Sequence, residues 1–186
     1  MKNNKHYAAI RRFYGDKRAE RSQAPLIAHI DEALALLDEI GAPERAKEAF
    51  CLHPLLQDDG ALLGALAPGS LFAESRPDPL VVLLAMEYRR VANDYLSHHC
   101  EGADDAIALS CVDEVNQMLI ADKVQNRKDF ERFHLGTHKD SDTLQLYFAN
   151  WLLRLGVSDE RYAQLCARIP AAAPAPISDV AAAAPG

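Results

Sequence analysis

The 186-residue chain has no apolar run approaching the roughly 18 residues that span a bilayer, so a membrane protein is not expected. It has no segment of alternating apolar and polar residues long enough to make a half-buried strand, so a β-fold is not expected either. Its four cysteines, Cys51, Cys100, Cys111 and Cys166, form no CxxC pair and no Cys/His alternation, which removes the zinc-finger and dithiol readings. No charged-then-apolar leader precedes them. Reduced thiols in a cytoplasmic protein are the expectation. Positive charge is also scarce, because the net charge is −7. Residues 1–21 carry seven lysines and arginines against Asp16 and Glu20, a local +5, so the remainder sums to −12. An acidic body disfavours broad nucleic-acid binding. The basic segment suits either a solvated helix face or contact with a phosphorylated small molecule.

What is present is ordinary globular material, 49% hydrophobic and 25% charged, in a length that makes one domain with a full core. Residues 24–40 place apolar side chains at 27, 30, 33, 34, 37 and 40, the spacing of a helix, and Gly41 and Pro43 close it. A second helix is predicted over 44–56 with Ala46, Ala49, Phe50 and Leu52 inward. Further helices are predicted over 80–98, 103–126, 140–155 and 158–168, the fifth stopped by Gly156. On the 80–98 helix, Leu83, Leu84, Tyr88, Val91, Ala92 and Tyr95 form a core stripe. The polar residues Glu87, Arg89, Arg90, Asn93 and Asp94 line either a pocket or a solvated face with ion pairs. The sum is an all-α domain of about six to eight helices over residues 1–168. The Ala/Pro-rich residues 169–186 are predicted to be a disordered tail.

Three stretches carry the chemistry: His29, the HPLLQDD run at 53–59, and the IADKVQN run at 120–126. Two histidines and an aspartate are suitable ligands for Mn, Zn or Fe. A His/His/carboxylate set has the composition of a facial triad, or of a catalytic zinc site with a position open for water.

These stretches resemble the HD-domain superfamily, and in particular the hydrolase domain of RelA/SpoT-type alarmone enzymes. Residues 21–29, RSQAPLIAH, look like that family's RKSGEPYIxH entrance; residues 49–58, AFCLHPLLQD, are similar to its AALLHDVVED; residues 120–126 are similar to its LADRLHN. The run DTLQLY at 142–147, followed by RLG at 154–156, resembles its ETLEIY and RLG. The resemblance spans about residues 15–157 in order. It implies a single HD-like helical domain in which His29, His53 and Asp122 are three of four metal ligands. Pro54 replaces the fourth, an aspartate. Gln57 and Asp58 fall on the acidic pair that helps activate water, the first acid having become an amide. Arg21 and Asn126 fall on positions at that family's nucleotide pocket, which makes them substrate-binding candidates, and Glu20 stands where a base-stacking arginine is expected. Apart from the resemblance, Lys123, Arg127 and Lys128 follow Asp122 and either receive a substrate phosphate or form a basic helix terminus that complements the dipole.

Proline next to His53 supplies no oxygen ligand and no backbone donor, and it is predicted to kink the second helix there. Three functions follow as expectations. The first is an HD-like metal-dependent enzyme acting on a small anionic substrate, phosphorylated or carrying another anionic group, with a divalent cation and Asp58 as general base. The second is a catalytically degenerate HD domain that binds a nucleotide or other small ligand. The third is a helical interaction module. His98 and His99 are the candidate replacement ligands, although neighbouring helical positions point about 100° apart. His134 and His138 have metal-like spacing only if helical, and Gly136 between them favours a loop.

Overall fold

The computed structural model describes residues 4–20, 22–65, 67–103 and 105–169. Among these the chain forms nine α-helices and no strand, with one isolated bridge between Arg18 and Pro25. The helices are α1 (Lys5–Tyr14), α2 (Ile27–Glu39), α3 (Glu44–Leu52), α4 (Asp59–Ala65), α5 (Leu71–Ser75), α6 (Pro79–Asp94), α7 (Asp113–Phe133), α8 (Ser141–Arg154) and α9 (Asp159–Cys166). Single 3-10 turns occupy His53–Leu55 and Ser97–His99. This is one all-α domain, as the periodicity predicts. The helix α1 and the short helices α4 and α5, which lie outside the six ranges predicted from periodicity, bring the count to nine. No described helix is long and apolar enough to cross a membrane. Ile169, the first residue of the predicted tail, is buried against the core. Residues 170–186, and with them the rest of the predicted tail, lie outside the described residues.

Local signals explain most boundaries. Asn4 caps α1 by accepting from the His6 N–H, and Asp78 caps α6 ahead of Pro79 at its first position, where a missing N–H costs nothing. Ser158 caps α9. Gly41 and Gly156 end α2 and α8 at φ of +71° and +72°, a left-handed conformation that side-chain-bearing residues rarely adopt. At Pro54 the break is sharper than the expected kink: the helix predicted over 44–56 stops at Leu52 and the chain tightens into a 3-10 turn, with Leu56 N–H bonded to the His53 carbonyl at 3.0 Å.

Three expectations need correction. The helix predicted over 103–126 begins only at Asp113 and continues to Phe133. Side chains hold the chain off helical geometry before it: Asp105 accepts from the Glu101 and Gly102 N–H groups, while the Asn116 amide bonds both backbone groups of Ser110. The helix expected over 80–98 ends at Asp94. On α6, Leu83 is 65% exposed, outside the stripe in which Leu84, Tyr88, Val91, Ala92 and Tyr95 are buried.

The long helix α7 is the spine. It packs against α2, α3, α6, α8 and α9, and α3 packs against α6. Phe50, Leu36, Leu37, Met118, Leu119 and Trp151 are fully buried between these helices. Burying such side chains is worth roughly 1.5–3 kcal/mol each and locks the relative positions of α2, α3 and α7. Each of those three helices brings one residue of the candidate site, His53 standing in the turn that ends α3.

Candidate metal centre

His29, His53 and Asp122 each present one ligand atom, and these atoms all lie within 4.8 Å of one another. They come together although 24 and 69 positions separate successive members. His53 and Asp122 are buried and His29 is half-buried. His29 Nε2 lies 3.6 Å from Asp122 Oδ1. Two ligands at about 2.1 Å from a tetrahedral ion stand about 3.4 Å apart, so this pair is already spaced for one. The rings of His29 and His53 meet edge to face, 5.7 Å between centroids.

The nitrogens facing away from the cluster decide which tautomers are present. His53 Nδ1 lies 2.6 Å from the Phe50 carbonyl oxygen, which can only accept, so Nδ1 carries the proton and Nε2 keeps its lone pair. His29 Nδ1 lies 2.7 Å from Gln125 Oε1, again an acceptor, so Nδ1 carries a hydrogen here too. In each ring the outer partner thus leaves Nε2 as the nitrogen facing the cluster, the atom that gives a lone pair when the ring is neutral, an orientation usual for metal-ligating histidines. Burial, reinforced by His29, pushes the His53 pKa down to about 4, which keeps the ring uncharged at neutral pH.

The carboxylate is crowded with donors. Asp122 Oδ1 accepts from Asn126 Nδ2 at 2.9 Å, Oδ2 faces Lys123 Nζ at 2.9 Å, and the Tyr88 hydroxyl also bonds the group. Burial pushes the carboxyl up, but the Lys123 ammonium and then His29 and His53 outweigh it and hold the pKa down at about 2. Lys123 is itself buried, donates to the Tyr147 hydroxyl at 3.2 Å and lies over the Trp151 ring. Burial disfavours its charge, but Asp122 more than compensates, raising its pKa.

A cavity of about 410 Å³ opens beside the cluster, a volume in the range of small-ligand sites. His29, His53 and Asp122 line it together with Tyr14, Tyr88, Gln57, Lys123, Gln125 and Asn126. Burial and Asp122 raise the Tyr14 pKa to about 12, so this phenol stays a donor at neutral pH. Gln57 is held by its amide on Asn93 Oδ1 at 2.9 Å, and its Oε1 has no hydrogen-bond partner among the described residues. Among the described lining residues Lys123 is the one cation, and it is already paired.

Not every candidate residue arrives. Asp58 is exposed, does not line the cavity, and accepts from the Ala61 N–H at 2.7 Å as the cap of α4. Arg127 pairs with Glu131 and Asp159 and lies over the Tyr162 ring, lining a different cavity. Arg21 lies outside the described residues. Of the other basic residues near the N-terminus, Arg12 pairs with Glu74, Lys5 with the Arg76 carbonyl and Arg18 with the Gln23 carbonyl. His98 and His99 meet edge to face, 4.1 Å between centroids, away from the cavity wall, and His134 and His138 lie in the turns after α7. Sequence reasoning missed Gln125, Glu32 and Tyr88. The first two sit three residues after Asp122 and His29 on the same helices, the spacing at which side chains meet, which was the available signal.

No protein-family model, no curated protein and no solved structure matches the chain.

Proposed function

We propose that the chain is an HD-type metal-dependent enzyme whose divalent cation, Mn, Zn or Fe, is held by His29, His53 and Asp122, and whose substrate is a small molecule with an anionic group. The observation that carries this reading is the pair of imidazoles with Nδ1 bonded outward to an acceptor and Nε2 turned toward the cluster beside a carboxylate. The donor set fits the ion: two neutral nitrogens and one charged oxygen suit all three metals and leave coordination positions open. When bound, such an ion supplies Lewis acidity toward an oxygen of substrate or water. The protein's own groups do the rest. Asn126 and Tyr88 fix the Asp122 carboxylate, and Gln57 offers an acceptor on the cavity wall. With a dication present, Lys123 and the ion outweigh the Asp122 charge, and the centre attracts an anion. Position 57 carries an amide and Asp58 points elsewhere, so the water-activating acids of the alarmone hydrolases are not reproduced. A substrate different from theirs follows.

The ion pair of Lys123 with Asp122 favours a second reading. An ammonium 2.9 Å from the carboxylate already neutralises it, as a domain that binds a small ligand without metal would require. Metal analysis separates the two. Purified wild type is expected to hold about one equivalent of metal per chain, and His53→Ala and Asp122→Ala to hold far less. Equal, trace metal in all three proteins would leave only the metal-free reading.

A further inference from the structure

We infer that Gln125 is the positioning residue that fixes His29 in its metal-ligating tautomer, an inference that rests on the metal-centre reading above. Gln125 is 2% exposed on α7, one turn beyond Asp122, and every polar group of its side chain is used. Nε2 donates to Glu32 Oε2 at 3.0 Å and to Asp129 Oδ2 at 2.7 Å, one hydrogen to each carboxylate. Those two acids determine which way the amide faces. Reversed, it would turn its oxygen toward two carboxylates with no proton between them. Oε1 is therefore the atom 2.7 Å from His29 Nδ1, and because it can only accept, Nδ1 must carry the hydrogen. In the neutral ring this leaves the lone pair on Nε2, on the side of Asp122.

The clamp is itself anchored. Glu32 is buried on α2, three residues after His29, and is ion-paired with Lys128 of α7. The same contacts that join α2 to α7 thus set the proton on a ligand of the cluster. No other side chain does all three tasks at this position. Glutamate cannot donate to the acids, asparagine is one methylene shorter, and water in place of the amide can either donate or accept, so it selects no tautomer.

His53 provides an internal control, because its Nδ1 is held by a backbone carbonyl that a change at 125 does not remove. The test uses the full chain, wild type and Gln125→Met, with imidazole nitrogen NMR of the metal-free proteins and Zn(II) affinity by competition with a chromophoric chelator. In wild type both histidines are expected to show the Nδ1–H form. In Gln125→Met, His29 is expected to become a mixture of tautomers with His53 unchanged, and Zn(II) binding to weaken 10- to 100-fold. Should the apolar side chain beside two carboxylates prevent folding, Gln125→Ser leaves room for water to hydrate them and is expected to show the same mixture. A His29 that keeps the Nδ1–H form in the folded variant overturns the inference. So does a Zn(II) affinity within threefold of wild type once the tautomer has changed. If wild type takes up no Zn(II), the metal-centre reading fails, and the tautomer comparison still decides whether Gln125 fixes His29.

Discussion

Lys123 and Asp122 are neighbours in sequence and ion-paired in the core, with Nζ and Oδ2 2.9 Å apart and both residues buried. The pair gives the carboxylate a built-in counter-charge, which a divalent cation would supplement. Lys123→Met keeps the packing between Tyr147 and Trp151 but leaves Asp122 charged and unpaired in the interior. Removing one member of a buried pair costs about 3–5 kcal/mol, so the metal-free variant is expected to be much less stable than wild type. Metal should then restore more stability to the variant than to wild type. Denaturant melts with and without Zn(II) check both statements, and an equal response to metal in the two proteins would count against a cation at Asp122.

Acid should unfold the metal-free protein in two stages with a defined sign. His53 has its folded pKa lowered to about 4 from 6.5, so between those values the unfolded chain binds the proton more readily and stability falls as pH falls. A shift of that size corresponds to about 3 kcal/mol lost from pH 6.5 to pH 4. Asp122, lowered to about 2 from 3.8, adds a further loss below pH 3.8 in the same direction. Stability measured against pH in a chelator should show the upper stage in wild type. His53→Leu should lack it, and a variant with the same slope between pH 6.5 and 4 would place its origin at another group.

The fold class was legible from periodicity: the i, i+3, i+4 pattern of 24–40 says which face of α2 turns inward. The meeting of His29, His53 and Asp122 followed instead from the order of the motifs that resemble the HD superfamily, since His29 is not one of the apolar positions of that pattern. A break at Pro54 was legible from its missing donor, although a kink rather than the end of the helix was expected. The start of α7 was not, since residues 105–112 are kept out of a helix by Asp105 and Asn116, whose side-chain bonds are invisible to apolar periodicity. Nor was Asp58. A carboxylate near the end of one helix reads alike as a catalytic group or as the cap of the next, and the direction of its side chain depends on the turn that Pro54 introduces.

That placement of Asp58 makes a sharp contrast testable. As the cap of α4 it holds one backbone N–H, so Asp58→Ala is expected to cost about 1 kcal/mol of stability. Metal binding should be unchanged, and any metal-dependent turnover should stay within about twofold of wild type, because general-base loss would cost at least about a hundredfold. Gln57→Ala, which alters the cavity wall itself, should change ligand affinity. A collapse of turnover in Asp58→Ala with metal still bound would return the carboxylate to the chemistry.

Pro54 has a role beyond ending α3. Continued helix would bond the residue 54 N–H to the carbonyl of Phe50, four positions back, and proline has no such hydrogen. That carbonyl instead accepts from His53 Nδ1 at 2.6 Å, the contact that leaves His53 Nε2 as a lone pair. Pro54 itself does not line the cavity. Pro54→Ala returns the backbone donor, which competes for the Phe50 carbonyl. Its effect on stability should be small, within about 1 kcal/mol, since the regained hydrogen bond offsets the greater freedom of the unfolded chain. Zn(II) affinity should nevertheless fall severalfold as His53 loses its fixed tautomer, with His29 unaffected in the same NMR spectra. Pro54→Asp restores the same N–H, so its added carboxylate should yield less affinity than a fourth ligand alone would give. If Pro54→Ala binds Zn(II) as tightly as wild type and His53 keeps its Nδ1–H form, the proline serves only to stop the helix, and the tautomer of His53 is set by the turn without it.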